Sequence, residues 1–457
     1  MRSNVTLNLG LRYEFITTPT EANGKVSNLR HVTDSALTMG DPWHSNPSLK
    51  NFAPRLGLAW DPFGRGTTSI RAGFGRFYDE ILPKYYFFSG SLNPPFTTRT
   101  TIANPPFPNV IANLDPNAIK AQLSTVNFDL QTPFITQYNV GIQQALPGDW
   151  DVFVGYVGSH GKNLFRLGDA NLAPETIVNG EKVYQPQLGR RNPNFTAIFQ
   201  RVTDAESFYD SLQVSLIKRY SRGLRAQVSY TLAKSIDDSS GLNSQDFDNN
   251  VQYMLDWYDP SYDRGPSAFQ ARHNLTFNWS WDVPARASLG GVAGAILKGW
   301  QLNNVTTIQS GQPFTVRLGF NRSGNLNTTS FSMNERPDLK PGSSTDPILG
   351  GPDRYWDINA LALPAPNTRG NLPRNSLVGP GLFNADLSLV KSFATLGRQS
   401  VQLRLEAFNI FNRANFAVPS GRVAFTNAAG DVSPTWGRIT STVTTSRQVQ
   451  LGMKYLW

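Results

Sequence analysis

The side chains that most often do chemistry are thinly spread in this chain. Its four histidines, His31, His44, His160 and His273, lie far apart, without the short intervals that bring two imidazoles onto one metal ion. Cysteine is absent, which removes thiolate ligands, thiol nucleophiles and any disulfide framework. Gly158-Ser159-His160-Gly161 puts a hydroxyl beside an imidazole, but it lacks the G-x-S-x-G elbow that presents a serine at a sharp strand-to-helix turn. A turn leading from a strand into a loop is expected there. Gly73-Phe74-Gly75 sits inside an alternating stretch and opens no helix, so it is not a phosphate cradle; its glycines would let a wall bend or pack closely. Carboxylates gather in the segment 235–271, at Asp237, Asp238, Asp246, Asp248, Asp256, Asp259 and Asp263. Oxygen-rich loops can hold Ca²⁺, but the spacing is not that of an EF-hand, and a solvated loop is expected. These residues assign no catalytic group, no cofactor-binding residue and no metal ligand, and an enzyme is not expected.

The elements that would carry such residues point elsewhere. Charged residues make up 16% of the chain and hydrophobic ones 39%, against about 25% charged in an average soluble domain. A chain low in both must place its many amides and hydroxyls somewhere other than a salt-bridged surface, and a water-filled barrel interior is one such place. The net charge of +9 comes from basic residues scattered singly or in pairs such as Arg190-Arg191, without the block or stripe that nucleic-acid binding requires. No stretch approaches the roughly 18 apolar residues of a membrane-spanning helix. Any membrane crossing must then be made of strands closed into a barrel.

Two-residue alternation recurs along the chain. Val5, Leu7, Leu9, Leu11 and Tyr13 alternate with Thr6, Asn8, Gly10 and Arg12; Leu275, Phe277, Trp279 and Trp281 alternate with Asn274, Thr276, Asn278 and Ser280. The pattern repeats at Leu224–Tyr230, at Val401–Ala407 and at Val449–Trp457, which is the period of a strand with two unlike faces. It predicts strands near 3–16, 51–61, 67–78, 134–146, 150–158, 208–220, 223–234, 272–282, 300–311, 383–393, 401–410 and 447–457, an even set of about twelve, as bacterial single-chain barrels require. Trp60, Trp150, Tyr156, Tyr230, Trp281, Tyr455 and Trp457 fall near the ends of these stretches, as interfacial aromatic girdles would. Connections alternate between short turns and the long polar segments 17–50, 79–133, 159–207, 235–271, 312–382 and 411–446; 283–299 is the one extended member on the short side. Asn93-Pro94-Pro95 to Pro108 is expected to run extended within its loop. The fold class is therefore all-β: a transmembrane antiparallel β-barrel with short periplasmic turns, long extracellular loops and both termini on the periplasmic side, placed in the bacterial outer membrane.

Several segments resemble the TonB-dependent receptor superfamily, in particular its Oar-like members with carboxypeptidase-regulatory-like domains. Asn51-Phe52-Ala53-Pro54-Arg55-Leu56-Gly57 followed by Ile70–Tyr78 is similar to a paired-strand element of that family, as are Ser211-Leu212-Gln213 with Val228–Thr231, and Trp300-Gln301-Leu302 with Ser310–Phe314. The run Gly370-Asn371-Leu372-Pro373-Arg374-Asn375, then Asp386–Phe393, Glu406–Asn412 and Arg447-Gln448 resembles it most. The resemblance implies that residues 1–457 are the C-terminal part of a barrel of roughly 22 strands plugged by an N-terminal domain. It further implies uptake driven by a TonB-type energy-coupling protein acting through that plug. The opening Met1-Arg2-Ser3-Asn4 has no apolar signal-peptide core, so plug and signal are expected to belong to a longer protein.

The implied function is that of a receptor and transporter wall whose extracellular loops bind an unidentified ligand. The alternative is a self-closing barrel of about twelve strands with a structural or adhesive role. Expected partners are outer-membrane lipid and lipopolysaccharide, the extracellular ligand and the barrel-insertion machinery. For that machinery the last strand, with Val449, Leu451, Met453, Tyr455 and the terminal Trp457, resembles an assembly signal.

Overall fold

The alternating stretches form one antiparallel sheet in the computed structural model, which describes residues 4–100, 108–109, 119–241, 253–286, 288, 290–327, 335–394 and 399–457. Its strands are β1 (Val5–Tyr13), β2 (Phe52–Trp60), β3 (Thr68–Tyr78), β4 (Phe134–Leu146), β5 (Trp150–Asp169) and β6 (Ile198–Ser221). They continue as β7 (Leu224–Asp237), β8 (His273–Asp282), β9 (Trp300–Gln309), β10 (Leu382–Ala394), β11 (Ser400–Phe408) and β12 (Gln448–Leu456). Each pairs with its predecessor in chain order. Two short strands, Leu123–Val126 and Gly265–Pro266, join the rim of this sheet on β6 and β7. Among the described residues β1 and β12 do not pair with each other, so a closed twelve-stranded barrel is not formed.

The pairing register carries one face across the whole wall. Leu9 opposes Leu56, Leu56 opposes Phe74 and Phe74 opposes Tyr138; Tyr156 opposes Leu212, and Tyr230 opposes Leu275. At the far end Leu389, Leu405 and Leu451 are cross-strand neighbours. Because side chains alternate along a strand, this register gathers the apolar residues on one side. The other side holds Asn8, Arg12, Gln137, Asn139, Gln213, Gln227, Asn278, Asn303, Gln402 and Arg404. Polar residues also occur on the apolar side, among them Asn304 and Thr306, which bond locally, to the Asp386 carbonyl and to Asn304 Oδ1. The apolar residues remain exposed, Leu9 at 72% and Leu451 at 81%, although no part of the described chain covers them.

The short-turn end is built tightly. Ser221-Arg222-Gly223-Leu224 closes β6 onto β7 with positive φ at both central residues, 51° and 79°, the geometry that matches strand twist in a two-residue hairpin. Asp61 accepts from the amides of Phe63, Gly64 and Gly66 in the turn between β2 and β3. Trp150 faces Lys218 across β5 and β6, and Trp300 faces Lys391 across β9 and β10. Both lysines lie on the apolar face and are buried, and each turns its ammonium to turn carbonyls, Lys218 to Gly148 O and Lys391 to Ile296 O. Aromatic rings with snorkelling cations mark the border of an apolar band.

β5 and β6 depart from the expected bounds. The sequence pattern ends β5 at 158 and starts β6 at 208, whereas the ladder continues to Asp169 and back from Ile198. Gly158–Gly161 is therefore strand rather than a turn. The 20 residues of β5 reach about 66 Å at ~3.3 Å each, far more than a tilted crossing of an apolar band ~25 Å tall needs. The projecting half has buried polar residues, among them Arg166, Asp169, Gln200 and Thr203, so its alternation has no apolar phase to read. The same extension explains Tyr156 and Tyr230, which lie inside their strands and not at the ends. Their hydroxyls bond Asp210 and His273 Nδ1, and they stand where the apolar face gives way to Lys234, Asp210 and His273.

Candidate functional site

The long loops carry the molecule's buried cores. Phe314, Val316, Leu318, Trp356, Leu361, Leu372, Leu377 and Ala424 form one cluster from the two loops after β9 and β11. Leu29, Leu123, Leu172 and Ile198 form another with Trp257, drawing on four loops. An apolar core shared among loops makes a single cap, because none of the loops buries enough surface alone. A helix, α1 (Pro83–Ser91), lies in this cap. The described part of the proline-rich run makes a turn, not an extended segment, with Phe96 N donating to Asn93 O and Asn93 held by Ser124; residues 101–107 lie outside the described ones.

The acidic segment 235–271 is likewise neither solvated nor free. Asp263 and Arg336 pair at 2.9 Å, with side chains 2% and 1% exposed. Asp237 is bound by Arg374, which also bonds Ser240 Oγ and the Asp237 and Gly265 carbonyls. Asp256 accepts from Lys182 at 2.6 Å, from Arg369 at 2.5 Å and from the Tyr184 hydroxyl at 3.1 Å. Asp238 and Asp259 pair with Arg264 and Arg369; Asp246 and Asp248 lie outside the described residues. Buried charges need partners of opposite sign and further hydrogen bonds; for Asp237, Asp256, Asp259 and Asp263 these come from segments more than seventy residues away in sequence, whereas Arg264 serves Asp238 from within the same segment. No group of three or more His, Asp or Glu side chains able to hold a metal occurs among the described residues.

The partner arginines were invisible to a reading that followed carboxylates. One of them stands in a quoted motif: in Gly370–Asn375, Arg374 clamps Asp237 at the top of β7, Leu372 is core, and Asn375 bonds Thr315 and the Pro266 carbonyl. A Cβ at Gly370 would come within 1.9 Å of the Arg336 carbonyl, so only glycine lets the two loop strands approach. In Glu406–Asn412, Asn409 takes φ of 48° and bonds the Arg413 and Thr445 carbonyls, while its amide donates to Asp386. These motifs are joints between wall and cap.

Among the cap groups that burial shifts are Glu335 and His44. Glu335 accepts from Arg322 N, Ser323 N and Ser323 Oγ, yet burial outweighs these bonds and raises its pKa. His44 is lowered by burial, partly opposed by its contact with the Ser45 carbonyl. The other histidines remain apart: His160 stacks on Phe208 and His273 lies against Tyr230. Gly73 and Gly75 face Asn139 and the Phe77 ring, which would lie 2.9 Å from an added Cβ in each case. They serve close packing on the polar face. Val449, Leu451, Met453 and Tyr455 share the apolar side of the last strand, and Trp457, one residue beyond its end, is 90% exposed.

Where cap meets wall, a cleft of about 710 Å³ opens at the border of the apolar face. Leu212, Leu232 and Ile236 give it apolar lining; Lys234, Arg272 and His273 also line it, with Asp210 directly opposite Lys234 across β6 and β7, together with Pro266 and Pro313.

A wall with one apolar and one polar face, short turns at one end and a folded cap at the other, defines a membrane β-barrel protein. The chain belongs to the outer membrane beta barrel domain family, whose model matches residues 1–450, and its place is the bacterial outer membrane. The TonB-dependent transporter Oar of Myxococcus xanthus is 25% identical over 263 residues, a match spanning 52% of this chain and 22% of that protein. Among solved structures, the outer membrane transporter YddB from Escherichia coli is similar over 88% of this chain and 40% of its own, at 12% identity and a TM-score of 0.48. FpvA of P. aeruginosa, solved with heterologous pyoverdines, is similar over 99% of this chain and 36% of its own, at 12% identity and a TM-score of 0.42. The chain thus spans well under half the length of these relatives.

Proposed function

We propose that the chain forms wall and extracellular cap of an Oar-like TonB-dependent receptor that takes up a scarce extracellular ligand. The observation that carries this reading is the cap: six long loops of an outer-membrane barrel fold into shared cores with buried ion pairs, a construction suited to holding a defined recognition surface. Coupling to a TonB-type protein, through a plug outside residues 1–457, supplies the energy. No catalytic role is assigned. In a strain lacking the gene, accumulation of one labelled class among iron–siderophore, oligosaccharide and peptide should fall by at least about tenfold. Collapsing the inner-membrane potential should lower it equally in the parent strain. Unchanged accumulation of all three classes in the deletion strain would sink the proposal. The alternative, a self-closing adhesive barrel, would require β1 to pair with β12, and among the described residues no such pairing occurs, which favours the receptor reading.

Two partner surfaces belong to the same reading. The cleft with Lys234, Arg272 and His273 beside an apolar lining fits a lipopolysaccharide phosphate beside its acyl chains. The terminal strand with Val449, Leu451, Met453, Tyr455 and Trp457 is the handle for the barrel-insertion machinery, since a free ring at a strand end can fill a groove while the backbone pairs edge to edge. Removing Trp457 from the full-length protein should cut the amount inserted in cells several-fold and leave folded stability in vitro nearly unchanged. If insertion holds and only stability falls, Trp457 is a girdle residue and nothing more.

A further inference from the structure

The connection between β8 and β9 is the one short-side turn that the chain enlarges, and it does so with an apolar helix. Residues 288–297 read Ser-Leu-Gly-Gly-Val-Ala-Gly-Ala-Ile-Leu, without a charge, between Arg286 and Lys298. Helix α2 (Gly291–Leu297) is seven residues long, too short to be stable by itself in water. It nonetheless exposes Val292 at 77%, Ile296 at 58% and Leu297 at 52%. An apolar segment of this length cannot span a bilayer, and a loop in the periplasm would have no reason to display it.

Its placement supplies the reason. Ile296 borders a groove of about 400 Å³ lined mainly by Trp300, Leu389, Phe393, Leu403, Leu405 and Leu451, residues of the apolar face at the short-turn end, with Lys391 and Arg404 also reaching it. The groove is thus continuous with the lipid-facing surface. The helix is bolted there through its last carbonyls. Trp300 Nε1 donates to Ile296 O at 2.7 Å, and Lys391 Nζ donates to Ile296 O at 3.0 Å and to Lys298 O. Lys391 is 4% exposed, with its ammonium 5.1 Å from the Trp300 ring centre and 4.9 Å from that of Phe393. Carbonyls at a helix C-terminus need donors and favour a cation; here both come from the wall, so this end does not depend on water. The equivalent Lys218–Trp150 pair caps its turn with no helix added.

We propose that α2 is an in-plane membrane anchor seated in the periplasmic leaflet of the outer membrane, with an acyl chain of that leaflet filling the groove between the helix and β10–β12. The proposal rests on the apolar face of the wall being the lipid face. An amphipathic or apolar helix at this depth adds buried area at the interface without spanning it, and it would fix the depth and tilt of the barrel on that side.

Residues 1–457 contain no cysteine, so an introduced thiol is unique within them, and any cysteine elsewhere in the full-length protein is first replaced by serine. In the full-length protein, Val292→Cys, Leu405→Cys and Arg65→Cys are labelled with a small fluorophore and reconstituted in phospholipid bilayers carrying doxyl-labelled phosphatidylcholine. Quenching at position 292 should come within about twofold of that at 405 and exceed that at 65 several-fold, as burial at the acyl boundary demands. Quenching at 292 no greater than at 65, with ready access to aqueous iodide, would overturn the proposal and leave α2 facing water or a periplasmic protein. If 405 itself is unquenched, the assignment of the lipid face fails instead. To guard against a label that drives insertion, Leu297→Asp is added to Val292→Cys. Quenching should then fall to the level at 65, and a value that stays high would show the dye, not the helix, seeking lipid.

Discussion

The wall and the cap stabilise themselves by opposite means. In the wall, apolar side chains face outward and stay exposed, as Leu9, Leu405 and Leu451 do, while backbone ladders tie each strand to the next. In the cap, regular structure is sparse, apolar residues point inward around Trp356 and Phe314, and buried arginines such as Arg336 and Arg374 stitch the loops together. The wall uses the surrounding lipid as its apolar phase, whereas the cap, standing in water, must make its own. One chain therefore obeys two inverted rules of burial, and a substitution should be judged by which rule governs its position.

Breaking the comparison begins with the largest expected effect. Arg336→Leu leaves Asp263 buried without its partner, which should cost about 3–5 kcal/mol. The loss should be confined to the cap. Amide exchange in 312–382 should accelerate and proteases should cut there, while the amides of the wall strands β10 and β11 keep their protection. Simultaneous loss of both would show the two regions to be one cooperative unit. Next, Leu405→Arg on the apolar face should destabilise the wall by roughly 2–4 kcal/mol if it lies near the bilayer midplane. Arg404→Leu, one residue away on the polar face, should be far milder; both are read by denaturant unfolding in lipid. Equal tolerance would erase the distinction between faces.

The smallest effects are pH-dependent and confined to the cap. His44 has a depressed folded pKa, so its contribution is fully present above the unfolded value and is lost as pH falls through the folded one. Glu335 has a raised folded pKa; its contribution is fully present below the unfolded value and is lost as pH rises through the folded one. Acidification below the ordinary histidine range should thus lower amide protection around 44, measured against the intrinsic exchange rate at each pH, and His44→Gln should flatten that response. Glu335→Gln should make protection around 335 insensitive to pH on the alkaline side. Wall amides in β10 and β11 should ignore both changes.

This division also explains what could be read in advance. The bounds of most strands, the apolar face and the alternation of short and long connections follow from local periodicity, which a linear sequence displays directly. Partnerships such as Asp263 with Arg336 or Asp256 with Arg369 join residues 73 and 113 positions apart, and no local pattern marks them. The carboxylates of 235–271 were conspicuous and looked solvated because, Arg264 on Asp238 apart, their cations lie in other loops. The upper halves of β5 and β6 escaped for a related reason: inside the cap both faces of a strand are buried, so polar and apolar residues no longer take turns. The quoted motifs were recognisable as patterns, but their roles as joints, Arg374 on Asp237 and Asn409 on Asp386, became legible only with their partners in place.

The hairpin of β5 and β6 has a mechanical consequence. Its ladder is continuous from the short turn at Gly148 to the heart of the cap except for register shifts between Thr203 and Ser207, where the strands leave the apolar band. Bulges bend a strand and increase its twist. The hairpin is thus a spar with one elbow, stiff below it and stiff above it. Load applied to the cap near Asp169 is delivered to the barrel wall through that elbow. Any bending of this hairpin should therefore concentrate at residues 203–207, where the register shifts.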